Sequence, residues 1–174
     1  VNAGSNTITS FNINEDYTLE IAGTPQPTGA EGPNSIAYTN SFGLDRDGVK
    51  GIVYVSNITR AEFLSGGEPV QQGTITGFRL MEDGSLVSII GSTRNLGNRP
   101  SSVQFSPDGR FLVVTSINSG SVVLASGSED EIVVYGVNSD GTLSGSATGA
   151  GASISAGNSE AYATPYAFKK KKKK

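Results

Sequence analysis

Four charged side chains are candidates for a ligand site in this sequence: Arg60, Glu62, Arg94 and Arg99. An arginine holds a phosphate or a carboxylate through two parallel hydrogen bonds, so each arginine is a candidate anion contact. Glu62 is a candidate general base if the fold brings it beside an arginine. The simpler interpretation, that these residues are exposed solubilising charges, stays open for each of them.

Asn57 begins the triplet Asn57-Ile58-Thr59, which is an acceptor pattern for N-glycosylation. Its position at the start of a loop predicts an accessible side chain, as a glycan requires. Such triplets are also common by chance, so the pattern alone does not establish a modification.

The sequence contains no His and no Cys. A thiolate nucleophile, a thiolate metal site and a disulfide framework are therefore excluded, and the commonest general base is missing. No Gly-rich phosphate loop precedes a helix and no basic surface carries aromatic residues, so we expect no cofactor, no metal and no nucleic-acid partner. No apolar run approaches the roughly 18 to 20 residues of a membrane span, so we expect no membrane partner.

A repeated hairpin must position the candidate residues. The segments ITSFNINEDYTL (8–19), ITGFRLMEDGSL (75–86) and IVVYGVNSDGTL (132–143) superpose without a gap. Each alternates apolar and polar residues, turns at an acidic or Asp-Gly element and alternates again, which predicts a β-hairpin. The repeated apolar positions are Phe11, Phe78 and Tyr135, followed by Leu19, Leu86 and Leu143.

A proline begins the next element of each repeat. Pro33 and Pro100 each follow the closing leucine by fourteen residues, and Pro165 follows it by 22. After Pro100, FSPDGRFLVVTS predicts a strand, a tight turn and a second strand. One unit is therefore four antiparallel strands, A to D, recurring every 57 to 67 residues. This pattern predicts an all-β protein made of β-propeller blades, with a β-sandwich as the alternative.

The repeat also predicts an incomplete ring. Val1 aligns with the end of a strand B and Phe168 with the interior of a strand A, so we expect a fragment of about two and a half blades from a ring that needs four or more. Six of the thirteen basic residues form a C-terminal lysine block on a chain of net charge −3. We interpret this block as an appended tag or an artefact, with a flexible basic tail that attracts nucleic acid or anionic lipid as the alternative. The predicted division is 1–32 (end of blade one), 33–99 (blade two), 100–164 (blade three), 165–168 (start of blade four) and 169–174 (lysine tail).

The stretches GTITGFRLMEDGSLVSIIGSTRNL and RPSSVQFSPDGRFLVVTS, with IVVYGVNSDGTL and the opening VNAGSNTITSFNI, resemble the seven-bladed propeller lactonase family, the 6-phosphogluconolactonase-like proteins. The likeness covers most of residues 1–143 and is clearest at 73–143. The resemblance implies a ring with a central pocket that opens sugar lactones by attack of water without a metal, using a His with Glu and Arg. Because this chain has no His, that set is not carried over complete, and its catalytic residues stay unknown. The Gly-, Ser- and Thr-rich style resembles secreted members, so we expect secretion, with a cytoplasmic location as the alternative.

Insertions accumulate on one face of the predicted blades, in the B–C and D–A connections. Long loops on one rigid face are a usual place for binding, although tolerated surface insertion is the alternative. Arg60 and Glu62 lie on the second B–C connection, and Arg94 and Arg99 on the second D–A connection. The family resemblance implies a sugar lactone as the ligand, with another carbohydrate as the alternative. The long connections are 58–72, 117–130 and 144–164.

Three functions stay open at this point. The first is a piece of a lactone hydrolase, which we expect to be inactive alone because a propeller pocket is built from all blades. The second is a non-catalytic secreted propeller that binds carbohydrate or protein. The third is a structural role, in which the open sheet edges of an incomplete ring self-associate.

Overall fold

A computed structural model of the chain describes residues 1–41, 48–60, 71–96, 99–117, 130–145 and 153–157, with the backbone alone for 59–60, 71–72, 130 and 153–157. The described residues form antiparallel strands and no helix, in an open, curled arrangement, so the predicted all-β class is confirmed. The strands are β1 (Thr7–Ile8), β2 (Phe11–Ile13), β3 (Leu19–Ile21), β4 (Gln26–Pro27), β5 (Pro33–Thr39), β6 (Val49–Arg60), β7 (Gln71–Met81), β8 (Leu86–Ser88), β9 (Arg94–Leu96), β10 (Arg99–Phe105), β11 (Phe111–Ile117), β12 (Asp130–Val137), β13 (Leu143–Ser144) and β14 (Ser153–Gly157).

The second unit, β5 to β9, is an antiparallel meander in the order β5-β6-β7-β8. Its longest ladder joins β6 to β7, from Val49 opposite Met81 to Arg60 opposite Gln71. β9 also pairs with β7, so β8 and β9 together form one interrupted outer strand. Isoleucine, valine, threonine and tyrosine dominate β6, and these residue types fit a pleated, buried surface.

The third unit, β10 to β14, repeats this topology in the order β10-β11-β12-β13, with β14 paired to β12. The first unit, β1 to β4, contains only the equivalent of the C–D hairpin, in which β1 pairs with β4 and β2 with β3. Among the described residues, no strand pairs with the other edge of β2.

The three C–D turns share one hydrogen-bonding pattern. An aspartate carboxylate accepts a hydrogen bond from the hydroxyl two residues later, at 2.6 Å in each turn, and from the backbone N–H of the same residue. These bonds favour the ionised carboxylate and hold its pKa below the ordinary value of 3.8. The aspartates are Asp16, Asp83 and Asp140, and their partners are Thr18, Ser85 and Thr142.

The residue after each turn aspartate has a positive φ. Gly84 (83°) and Gly141 (86°) adopt it without steric cost, whereas Tyr17 occupies the same repeat position at 64°. The first turn therefore keeps the geometry of the repeat despite its different residue type.

The units pack sheet against sheet, and each boundary buries an apolar cluster. The boundary between the second and third units contains Ile52 and Tyr54 from β6 against Leu112 and Tyr135. The boundary between the first and second units is smaller and contains Ile8, Val53, Val55, Phe78 and Leu86. Consecutive residues of β6 point to opposite boundaries, as the period-2 geometry of a strand requires. Burial of these side chains is the main stabilising term of the fold.

The structure corrects the predicted loops. Arg60 is the last residue of β6 and pairs with Gln71, because the β6–β7 ladder extends into the predicted 58–72 connection. Arg94 lies in β9 and Arg99 begins β10, so the predicted D–A loop contains strand residues. The predicted 144–164 loop contains β14. Short polar strands without clear alternation explain these errors, since they have the composition of loops.

Candidate functional site

Arg94, a predicted ligand-binding residue, uses its guanidinium inside the protein. Its Nη1 donates to the backbone carbonyl oxygens of Gly91 (2.7 Å) and Thr93 (3.2 Å). Its Nη2 crosses to the third unit and donates to the carbonyl oxygen of Leu143 at 2.9 Å. The side chain therefore braces two units, and three of its five N–H donors are engaged in hydrogen bonds to backbone carbonyl oxygens.

Arg94 also exerts its charge on two buried phenols. Burial raises the pKa of Tyr135 to about 12, with Glu131 raising it further and Arg94 opposing the shift. Burial likewise raises the pKa of Tyr54, again opposed by Arg94. Both phenols stay protonated at neutral pH, so neither is a general base there.

The other predicted charges do not assemble into a described site. Arg99 has an exposed side chain at the start of β10. The side chain of Arg60 and the whole of Glu62 lie outside the described residues. The proposed pairing of Glu62 with an arginine therefore stays a prediction, as does the role of Arg99.

The expected accessibility of Asn57 is wrong. The residue is 0% exposed, and its Nδ2 donates to the carbonyl oxygen of Thr28 and to Oγ1 of Thr74, both at 3.2 Å. A glycan attaches through this same nitrogen, so the folded chain does not present it. The acceptor triplet begins inside the extended β6 strand rather than in a loop.

Within the described part of the chain, no three carboxylates lie close enough to hold a metal ion. No described segment is a helix of the length and hydropathy needed to cross a membrane.

A groove beside β2 lies at an open sheet edge, a feature that the sequence predicted for an incomplete ring without naming its residues. It is open to solvent, has a volume of about 280 Å³ and runs between the first unit and the face of the second unit. We call it the β2 groove. Its apolar lining consists of Ile8, Phe11, Ile36, Val53, Leu80 and Leu86, and Gly84 and Lys50 also contact it.

The edge of β2 that faces away from β3 is open among the described residues. Toward β3, the carbonyl oxygen of Ser10 accepts from Ala22 N–H (3.0 Å) and Asn14 N–H donates to the Thr18 carbonyl oxygen (2.9 Å). Backbone groups of alternate residues point to opposite sides of an antiparallel strand, so those of Phe11 and Ile13 point to the open side. An unpaired edge of this kind is a template for another strand.

The equivalent place at the next boundary is filled. There β6 occupies the corresponding edge of β7, and its Ile52 and Tyr54 side chains are 1% and 0% exposed. The Tyr54 hydroxyl donates to the carbonyl oxygen of Gly141 at 2.7 Å. The signal available in the sequence was the repeat itself, because it aligns Ile36 with Val103 and Gly84 with Gly141.

Comparison with known proteins gives a likeness of fold. No family model and no curated protein matches the chain. The chain is similar to a solved structure described as a functionally unknown protein from Desulfotomaculum acetoxidans, with a TM-score of 0.56 and 20% sequence identity over 89% of this chain. This chain covers 37% of that protein's length. The likeness extends to the fold alone, and the resemblance to the lactonase family stays a prediction.

Proposed function

We propose that the chain is a segment of a β-propeller and that an extended strand binds at its β2 groove, in the position that β6 takes at the next boundary. The observation that carries the proposal is a strand edge, unpaired among the described residues, beside an apolar groove. Backbone groups on such an edge supply affinity for an added strand, and pockets for alternate side chains supply specificity.

The repeat of the boundary contacts supports the propeller assignment. Phe78 and Tyr135 occupy the same position of successive units, and both are fully buried against the preceding unit. Arg79 Nη2 donates to the Asp140 carbonyl oxygen at 3.1 Å, and Asn12 Nδ2 makes the equivalent contact to Asp83 at 3.5 Å. Units that pack through the same positions add by a constant rotation, which generates a ring of blades.

The length of the similar structure is consistent with this assignment. If about two and a half blades correspond to 37% of that chain, the whole holds roughly six to seven blades. This number lies within the common range for β-propellers.

Strand binding is also supported by the chemistry of the groove. Arg94, a candidate ligand residue, binds backbone carbonyl oxygens. The β2 groove, in contrast, combines an open backbone edge with half-exposed apolar side chains such as Ile36 (50% exposed). Hydrolysis of a sugar lactone, binding of carbohydrate and secretion stay predictions for the whole protein.

A displayed library of random nonapeptides tests the proposal. The chain is expected to enrich peptides with alternating apolar residues, and Ile36→Glu is expected to abolish that enrichment because it places a charge in the groove. Ile90→Glu is the matched control, since Ile90 is 95% exposed and does not line the groove.

Equal enrichment by the wild-type chain and a folded Ile36→Glu variant would contradict the proposal. Circular dichroism of both variants establishes that the fold is retained, so a loss of binding is assigned to the groove.

A further inference from the structure

We infer that N-glycosylation of Asn57 and the native fold exclude each other, so that the acceptor triplet Asn57-Ile58-Thr59 serves as a modification site of the unfolded chain alone. The inference concerns residues outside the β2 groove and does not rest on the proposed strand binding. The sequence contains no other Asn-x-Ser or Asn-x-Thr triplet, so any N-linked glycan on the chain reports this site.

Asn57 lies between two strands and beneath a neighbouring unit. The β6 strand is paired on both edges, with Asn57 opposite Pro33 of β5 and Thr74 of β7. The Asn57 side chain is on the same face of β6 as Val53 and Val55, which pack against the first unit. Two strands and the first unit therefore enclose this side chain.

The end of the first unit covers Asn57 closely. Thr28, whose carbonyl oxygen accepts from Asn57 Nδ2, is itself 0% exposed. Asn6 holds both ends of this cover, since its carbonyl oxygen accepts from Thr28 N–H at 2.9 Å and its Oδ1 accepts from Gly32 N–H at 2.9 Å. A Cβ atom on Gly32 would lie 3.1 Å from the Ile58 carbonyl oxygen. Packing of this density leaves no room for a sugar ring beside Asn57.

Glycosylation uses the nitrogen that the fold also uses. In the transfer reaction Nδ2 loses one proton to a base of the transferase and bonds to the anomeric carbon of a sugar, while the bond from that carbon to a lipid diphosphate breaks. Nδ2 then keeps one N–H, so it can donate to the Thr28 carbonyl oxygen or to Oγ1 of Thr74, but not to both. The Asn57 Oδ1 has no hydrogen-bond partner among the described residues, so Nδ2 makes the polar contacts of this side chain.

The acceptor triplet is synthesised before the strand that helps to bury it. Thr74 follows Asn57 by 17 residues, so a growing chain contains the complete triplet before β7 can pair with β6. A transferase that meets the chain at this stage finds an unpaired acceptor, whereas one that meets the folded chain does not. A secretory route that contains such a transferase therefore divides the chains between two states, one folded and one glycosylated.

A glycan on Asn57 should keep the first boundary open. A sugar between β6 and Thr28 would hold the first unit away from the face of the second unit, and the apolar cluster on that face would then be exposed to water. Glycosylated chains should therefore be digested readily by protease, as locally unfolded segments are. The cluster consists of Ile8, Val53, Val55, Phe78 and Leu86.

The test translates the whole chain, behind a cleavable signal peptide, in the presence of endoplasmic-reticulum microsomes, which supply the transferase and the lipid-linked sugar. A mass shift that an endoglycosidase removes identifies glycosylated chains, and limited proteolysis measures folding. Glycosylated wild-type chains are expected to lose protease resistance and unglycosylated chains to keep it. Thr59→Val removes the hydroxyl that the acceptor pattern requires but keeps a β-branched residue, so this variant should be unglycosylated and protease-resistant.

A second triplet at an exposed place is the matched control. Ser88→Asn together with Ile90→Thr, made in the Thr59→Val chain, places the same Asn-Ile-Thr triplet around Ile89. Ser88 is exposed and Ile90 is 95% exposed. This control chain should be glycosylated and protease-resistant at once, which assigns any loss of resistance in the wild-type chain to the position of the glycan.

Three outcomes would overturn the inference. Protease-resistant chains that carry a glycan on Asn57 would show that the fold accommodates the sugar. Glycosylation of the control chain without any glycosylation of the wild-type chain would show that the unfolded chain does not use the triplet. Equal digestion of glycosylated wild-type chains and unglycosylated Thr59→Val chains would show that the glycan makes no difference. Strand binding at the β2 groove is tested separately by the Ile36→Glu comparison.

Discussion

The two boundaries between successive units use the same repeat positions and differ by one strand. At the second boundary Val103 is 1% exposed, whereas its equivalent at the first boundary, Ile36, is 50% exposed. Both positions hold a branched apolar residue, so the difference comes from the neighbour and not from the residue type. Where β6 covers the second boundary, the described residues place no strand at the first.

The contacts between a C–D hairpin and the turn of the next unit are present at both boundaries. Asn12 and Arg79 each donate to the carbonyl oxygen of the turn aspartate in the next unit, with or without a covering strand. Strand B adds the buried apolar layer. The following substitutions separate these two contributions.

The largest expected difference in the free energy of unfolding is between alanine substitutions of the aligned residues Phe78 and Phe11. Phe78 is 0% exposed and Phe11 is 50% exposed. Phe78→Ala should lower the free energy of unfolding by about 3 to 5 kcal/mol, because it removes a buried ring and leaves a cavity. Phe11→Ala should lower it by less than about 1 kcal/mol. Urea unfolding followed by circular dichroism measures both, and equal losses would show that the first unit is covered in solution.

The next difference concerns two buried tyrosine hydroxyls. Tyr54→Phe removes the donor to the Gly141 carbonyl oxygen and should lower the free energy of unfolding by about 1 to 3 kcal/mol. Tyr135 is equally buried, but its hydroxyl has no hydrogen-bond partner among the described residues. Tyr135→Phe should therefore be neutral or slightly stabilising. A larger loss for Tyr135→Phe than for Tyr54→Phe, in the same unfolding assay, would contradict the structure.

Arg94 distinguishes a brace from a ligand contact. Arg94→Met should lower the free energy of unfolding by about 1 kcal/mol, because the half-buried guanidinium joins the second unit to Leu143 of the third. Arg99→Met, at an exposed position, should change it by less than about 0.5 kcal/mol. If differential scanning calorimetry finds no difference between these variants, Arg94 does not brace the boundary.

The smallest expected effect is the pH dependence of the C–D turns. The pKa of Asp83 lies below 3.8 because Ser85 donates two hydrogen bonds to its carboxylate. Its stabilising contribution is therefore complete above pH 3.8 and is lost as the pH falls through the lower folded value. Asp83→Asn should make the urea midpoint less sensitive to pH below 3.8, and Asp16→Asn, in the unit without a covering strand, should change it less. A steeper pH dependence in Asp83→Asn would contradict the stabilising role of the ionised Asp83 carboxylate.

The strand order within the units could be predicted from sequence because the hairpin repeats without gaps. Ile75, Phe78 and Leu86 recur as Ile132, Tyr135 and Leu143, and period-2 alternation then fixes which of them face a boundary. The strands β9 and β14 were missed because Arg94 and the serines of β14 have no alternating apolar pattern. Their pairing depends on the neighbouring strand β7 or β12, which local sequence does not report.

The candidate site was less predictable than the fold. The acceptors of the Arg94 guanidinium are the backbone carbonyl oxygens of Gly91 and Leu143. Every residue type carries such an oxygen, so the sequence does not identify these partners. The β2 groove lies where the described residues place no strand beside β2, and its lining residues look like ordinary core residues in the sequence. Asn57 looks like a loop residue for the opposite reason, since the β6–β7 ladder that buries it extends beyond the apolar pattern.

The bond from Tyr54 to Gly141 has a consequence for folding. It joins the central strand of one unit to the turn of the next, so the residues that melt together straddle the unit boundary. In a nearest-neighbour description, most of the stability belongs to the coupling between adjacent units and little to each unit alone. Hydrogen exchange would then slow in β6 and the 138–142 turn as one cooperative group, and a single unit cut out at its sequence borders would be a poor folding unit.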